Sequence, residues 1–232
     1  MATRARRPER REEPLTRERI VEAAVELLDT AGERGLTFRA LAERLATGPG
    51  AIYWHVTGKN ELLNAATDAV VADTVGSYAA ATTPREAIHA LALGVFDAID
   101  AHPWIGTQIT RTPSQTPMLG VFEHLGRQVR ALGVPHAAHF TAASALLSYI
   151  LGVGGQNAAN ARGVEPGTNR TEFLDAAATT WEDLDPDEYA FTRSVAGQLR
   201  EHDDRAEFLA GLDLFLTGIT ALREPTDPAV PS

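Results

Sequence analysis

From Thr16 onward the apolar residues Ile20, Ala23, Ala24, Leu27 and Leu28 recur three and four apart. That spacing predicts a helix capped by Thr16 and running to about Thr30, with Gly32 and Gly35 as punctuation after it. Thr37 is placed to cap a second, shorter helix in which Phe38, Leu41, Ala42 and Leu45 share one face. Thr47-Gly48-Pro49-Gly50 reads as a turn leading into a third short helix, from about Pro49 to His55, broken by Thr57-Gly58. A fourth helix starts near Lys59 and carries Leu62, Leu63, Ala66 and Val70 toward Tyr78.

The rest of the chain repeats the helical period. Thr83-Pro84-Arg85-Glu86 is a capping box with proline at the first helical position, and Ile88, Leu91, Val95, Ala98 and Ile99 continue it to His102-Pro103. Further helices are predicted from about Pro117 to Leu132, from Pro135 toward Asn160 through Phe140, Ala143, Leu147, Ile150 and Leu151, and near Thr171 to Glu182. Asp185-Pro186-Asp187-Glu188 reads as a second proline-containing capping box opening a helix to about Arg200. The last helix, Arg205 to Leu222, carries Phe208, Leu212, Phe215, Ile219 and Leu222 at alternating steps of four and three. No strand pattern of useful length interrupts this order, so the expected fold is all-α. The most apolar stretch, Ala142 to Gly155, is shorter than the roughly 20 residues a membrane-spanning helix needs, and no membrane partner is expected.

Composition narrows the chemistry. The chain has 232 residues and no cysteine, which excludes disulfide scaffolds, thiolate metal sites and a cysteine nucleophile. Arg4, Arg6, Arg7, Arg10 and Arg11 near the start are not followed by an apolar stretch, so a signal peptide is not expected and the cytoplasm is the default location. The net charge of -10 is distributed unevenly. Residues 1–60 hold 11 basic against 9 acidic side chains, and residues 61–232 hold 10 against 22. Any contact with a polyanion belongs in the first quarter.

That quarter contains the most specific pattern in the chain. Two short amphipathic helices joined by a tight turn make a helix-turn-helix, whose second helix lies in the major groove of DNA. Ile52 and Val56, four apart, face the core, which leaves Gly50, Ala51, Tyr53, Trp54 and His55 on the outer arcs. Exposed rings suit a groove, where they pack on sugars and thymine methyls, and Gly50 and Ala51 let the backbone approach closely. Ala51-Ile52-Tyr53-Trp54-His55 with Lys59, Arg39 and Leu62-Leu63 resembles the TetR family of bacterial transcriptional repressors over about residues 15–75. The resemblance implies that Thr37 and Arg39 contact phosphates or flanking bases, that Tyr53 and His55 contact the DNA backbone, and that Lys59, the only lysine in the chain, clamps a phosphate. Ala46, Thr47 and Gly48 depart from the family pattern of glycine, an aliphatic residue and a hydroxyl cap at these positions.

The resemblance further implies a C-terminal portion that dimerises through two long helices and encloses a small-molecule pocket. The apolar stripes of the last helix (Phe208, Leu212, Phe215, Ile219) and of the helix after Pro135, with Gly152, Gly154 and Gly155 permitting close approach, support dimerisation independently; both helices filling a monomer core is the alternative. His102, Trp104, Gln108, Phe122, Gln156, Asn160 and Trp181 are polar-tipped or aromatic groups near helix ends, the mixture a mostly apolar pocket needs. The acidic body favours a neutral or cationic effector. Gly152-Val153-Gly154-Gly155 lacks the strand and the Gly-Lys-Ser/Thr of a phosphate loop, and His136 and His139 lack a third ligand, so no enzyme, cofactor or metal is expected. The expected organisation is a basic arm (1–14), a DNA-binding domain (15–80), a ligand-binding and dimerisation domain (81–223) and a tail (224–232). The expected partners are a palindromic operator, a small, largely apolar effector and a second copy of the chain. An all-α protein-interaction module that does not bind DNA is the alternative.

Overall fold

The computed structural model of the chain describes residues 14–77, 81–111, 116–163 and 167–223. Apart from Pro14, the arm expected at 1–14 and the tail expected at 224–232 lie outside the described residues. Among those residues the fold is all-α, and the chain divides into two compact units, Met1–Ala66 and Thr67–Ser232.

The first unit holds α1 (Arg17–Gly35), α2 (Phe38–Arg44), α3 (Pro49–Tyr53) and the start of α4 (Lys59–Ser77). The Thr16 and Thr37 hydroxyls accept from the Arg19 and Ala40 amides, so both caps read from the sequence form. Helix α1 reaches Gly35 rather than Thr30, because Gly32, at φ 64° and ψ −172°, breaks the helix and a last turn resumes beyond it. Helix α3 ends two residues earlier than expected: Trp54 is its C-cap. Ile20, Ala24, Leu28, Leu36, Leu41, Ile52, Val56, Leu62 and Leu63 form the core of this unit.

The second unit is built on α5 (Pro84–Ala101) and α8 (His139–Gly163), which pack against each other and against α6 (Trp104–Arg111), α7 (Thr116–Ala131) and α11 (Asp204–Ala221). The capping box at Thr83 and Glu86 is complete. Ile88, Leu91, Val95, Leu146, Ile150, Phe208, Leu212 and Leu216 fill the interior, with the Phe208 ring stacked on Phe96 at 4.6 Å. A Cβ on Gly154 would lie 2.9 Å from Ile99 Cδ1, so this glycine serves the α5–α8 contact inside the protomer. The helical segment His136–Ala161 is long and apolar enough to cross a membrane by length and composition alone, a stronger signal than its most apolar stretch suggested. Here its inner face packs on α5, α7 and α11.

Three readings of this unit need correction. Helix α6 was not anticipated; it is only eight residues long, too short to establish a period. Asp185 accepts from the Asp187 and Glu188 amides, yet the second capping box does not open a helix. Tyr189, at φ −117° and ψ 32°, leaves the helical region, so α10 (Ala190–Arg200) begins five residues after Asp185. Phe208, Leu212 and Ile219 of α11 are buried within one protomer, which leaves them no surface for a second copy. Helix α9 (Arg170–Glu182) packs mainly on α10. Arg200 binds Asp175 and Glu182, and Arg193 donates to the Glu182 and Leu184 carbonyls, so the pair forms an internally clamped hairpin.

Candidate functional site

The turn of the helix-turn-helix has alanine, not glycine, at its left-handed position. The Thr47 amide donates to Ala42 O at 2.9 Å, and Ala46 adopts φ 50°, in the left-handed region where a Cβ is penalised. Gly48 is the N-cap of α3 and offers no side-chain acceptor, while Pro49 occupies the first turn, where its missing amide proton costs nothing. Ile52 and Val56 are fully buried and anchor the short helix.

This anchoring turns the remaining side chains outward. Tyr53 is 55% and Trp54 90% exposed. The Tyr53 ring lies flat on Phe38, at 4.3 Å and 9° between planes, so its direction is fixed from α2. His55 is half-buried at the end of the turn. Gly50 is exposed, and a Cβ built on it would meet open space, so nothing in the chain's own packing demands a glycine there. Thr37 uses its hydroxyl as the cap of α2, and Arg39 is exposed and paired with Glu43 at 3.1 Å. Lys59 also has a partner inside the chain. Its Nζ donates to Glu33 O at 2.5 Å, tying the start of α4 to the end of α1, where the helix carbonyls attract a cation.

Sequence reading passed over Glu61. Its carboxylate accepts from the Thr57 amide at 2.6 Å and the Thr57 hydroxyl at 2.7 Å, and it pairs with Arg17 at 3.4 Å. The Thr57 amide and hydroxyl, aided by Arg17, hold its carboxyl below the usual carboxylate range. The interaction fixes the turn that follows α3; the signal was an acidic residue four positions after a threonine at a helix start.

The second unit contains a cleft. A cavity of about 680 Å³ is lined by Asp100 of α5, Asn157 and Asn160 of α8, Arg170, Phe173 and Ala177 of α9, Leu199 of α10, and His202 and Asp204. Two smaller cavities share Asn157, His202 and Asp204 with it and extend it along α11. Of the expected pocket residues, Gln156 and Asn160 are in this cleft. His102, Trp104, Gln108, Phe122 and Trp181 line none of these three cavities. Trp104 is buried beside the His102 ring, and Phe122 packs edge-on against Phe140. His136 and His139 pack ring against ring, His139 bonding Val134 O, and no group of three metal-ligating side chains occurs among the described residues.

Comparison with known proteins bears on both units. Residues 20–66, the span that contains the helix-turn-helix, match the model of bacterial regulatory proteins of the tetR family. A curated HTH-type transcriptional regulator of Saccharopolyspora erythraea is 34% identical over 150 residues, covering 63% of this chain and 64% of the relative. The HTH-type transcriptional repressor DrrR1 of Streptomyces coeruleorubidus is 37% identical over 102 residues, covering 43% and 38%. The chain thus spans less than two thirds of either curated relative. The solved structure of the transcriptional regulator SCO7222, a TetR from Streptomyces coelicolor, is similar along its whole length: 64% identity, a TM-score of 0.83, and coverage of 91% of this chain and 100% of that one. With the helix-turn-helix in the matched segment and the likeness continuing through the second unit, the chain belongs to the TetR family.

Proposed function

We propose that the protein is a dimeric transcriptional repressor that leaves its operator when a small molecule binds the second unit. The observation that carries the reading is the outward presentation of Tyr53 and Trp54 on a helix pinned by buried Ile52 and Val56. Large rings held in water cost solvation and gain nothing unless a partner covers them, and a DNA groove is such a partner. In this reading Thr37, Arg39, Gly50, Ala51, Tyr53, Trp54, His55 and Lys59 meet the duplex. One of the three Lys59 donors is engaged by Glu33, and the other two are left for phosphate. The DNA-binding domain would extend over residues 15–80 and the effector and dimer domain over 81–223. The names of the relatives favour repression, and nothing in this reading calls for catalysis. A DNA-binding regulator of this kind acts in the cytoplasm.

Dimerisation is supported by a face of α11 other than the one first expected. Leu214, 77% exposed, and the C-cap Leu222, 51% exposed, put apolar side chains of α11 outside the stripe that the protomer itself covers. Such a helix needs cover beyond that stripe. On α8, Thr141, Ser148 and Gly152 are exposed, and a Cβ on Gly152 would meet nothing, which leaves room for close approach of a second copy. Helix α4 starts in one unit and continues in the other by sequence, so it is the element through which an effector would act on DNA binding.

Selection of duplexes from a random pool tests the reading directly. The expected product is a palindrome whose half-sites repeat at a multiple of the helical turn. Tyr53→Ala and Trp54→Ala should each weaken binding to it by about 1 to 3 kcal/mol, roughly 5- to 150-fold, with helical content unchanged. Failure to enrich any sequence, with affinity insensitive to salt, would instead favour a protein-interaction module.

A further inference from the structure

We infer that the cleft between α5, α8, the α9–α10 hairpin and the start of α11 is a site for an organic cation with an apolar body, such as an amine or a quaternary onium. This rests on the reading above that the second unit takes a small molecule, and it specifies where and of what charge.

The electrostatics decide the sign. Among the described side chains, Asp97, Asp100, Asp203, Asp204 and Glu207 line the cleft together with Arg170, Arg205 and His202. The basic groups already face carboxylates: Arg170 binds Asp204 at 2.6 Å, Arg205 binds Asp97 at 2.9 Å, and His202 Nε2 lies 3.1 Å from Asp204. The charge left over is negative, carried by Asp100, Asp203 and Glu207. Five helix ends meet the cleft, the C-termini of α5, α8 and α10 and the N-termini of α9 and α11. The N-termini of α9 and α11, which would attract an anion, each have an amide taken by their own cap, Asn169 accepting from Thr171 N and Asp203 from Ala206 N. The last turns of α5 and α8 bring Asp100 and the Asn160–Gly163 backbone, so the helix ends that remain carry partial negative charge. A cation here finds an excess of carboxylates together with helix C-termini.

The body of the ligand is set by the opposite wall. Phe173, Leu174 and Ala177 of α9 and Leu199 of α10 present an apolar surface, with Phe173 48% exposed. Arg193 and Arg200 hold this hairpin as a unit, so the wall is preformed. Asn157, whose Nδ2 donates to Asp100 at 3.1 Å, holds that carboxylate on the opposite wall. A volume of about 680 Å³ lies in the range of drug-sized ligand pockets.

Tetraphenylphosphonium and its isosteric anion tetraphenylborate separate charge from shape, and calorimetry on the full-length protein reads both. The cation should bind at least tenfold more tightly. Asp100→Asn and Glu207→Gln should each weaken it roughly two- to tenfold and narrow the gap between the two ions, as expected for partly exposed charge pairs. Phe173→Ala should weaken both ions alike, and Glu22→Gln in the first unit should change neither. Equal or tighter binding of the anion, no binding of the cation, or cation binding indifferent to Asp100→Asn and Glu207→Gln would overturn the assignment. Operator binding distinguishes this from the reading it rests on. A cation that occupies the cleft without weakening the selected duplex leaves the site standing and removes the effector role. A neutral or anionic molecule that releases the duplex while the cation does not bind does the reverse.

Discussion

Ala46 is the residue at which local strain and the proposed site meet. Among the described residues it is the one non-glycine with a positive φ, and it stands in the turn that sets α3 against α2. A left-handed alanine costs about 1 to 2 kcal/mol, of which glycine's greater entropy in the unfolded chain returns a part. Ala46→Gly is therefore expected to raise stability by about 1 kcal/mol in urea unfolding while leaving operator affinity unchanged. A loss of stability would mean that the turn relaxes in solution. Glu61 makes a complementary case. Its carboxyl titrates below the ordinary range because the Thr57 amide and hydroxyl favour the ionised form. The stabilisation is present above the ordinary carboxylate pKa and is lost as pH falls through the lowered one. Glu61→Gln should loosen the Thr57 turn and weaken operator binding near neutrality by a few-fold. The variant should also show less loss of stability than the parent when the solution is acidified below the ordinary carboxylate range.

At the scale of elements, burial rewrites what α11 does. The 4-3 spacing of Phe208, Leu212, Phe215 and Ile219 identified an apolar stripe correctly, but a stripe in sequence does not say which neighbour covers it, and the protomer's own α5 and α8 do. The consequence is measurable. Leu214→Arg should give a folded monomer with no operator affinity in sedimentation and binding assays, because the charge lands on the outer face. Ile219→Arg should lower the unfolding free energy by several kcal/mol, because it lands in the core. If Leu214→Arg stays dimeric, the outer face of α11 is not the interface. Gly211 tests the inner face. A Cβ there would collide with the Tyr149 hydroxyl, which donates to Phe208 O at 2.9 Å, so Gly211→Ala should cost about 1 to 3 kcal/mol by parting α8 from α11. The caps at Thr16, Thr37 and Thr83 were legible because each signal is local: a hydroxyl and an amide three residues on. The capping box at Asp185 misled because its outcome depends on Tyr189, and α6 was invisible because eight residues hold only two turns. The outward rings of α3 were legible from Ile52 and Val56 alone. The cleft was not, since Asp100, Asn157, Phe173 and His202 are brought together only by packing.

For the whole molecule, charge is divided as function would require. The unit with the exposed rings belongs to a stretch with slightly more basic than acidic residues, and the remainder carries more than twice as many acids as bases. A polyanion is repelled from the second unit and admitted to the first, while a cation is drawn the other way. If a cation in the cleft and DNA on α3 each favour a different conformation of the same chain, their binding must be linked, and linkage is reciprocal. The expected coupling of about 1 to 3 kcal/mol predicts that tetraphenylphosphonium weakens the selected duplex roughly 5- to 150-fold and that saturating duplex weakens tetraphenylphosphonium by the same factor. Calorimetric titration of the ion with and without duplex measures one side of the cycle, and fluorescence anisotropy of the duplex with and without the ion measures the other. Leu214→Arg should abolish the coupling while leaving cation binding intact, because a monomer has no paired half-sites to disturb. A factor of one on both sides would show that the cleft and α3 are energetically independent, whatever each binds.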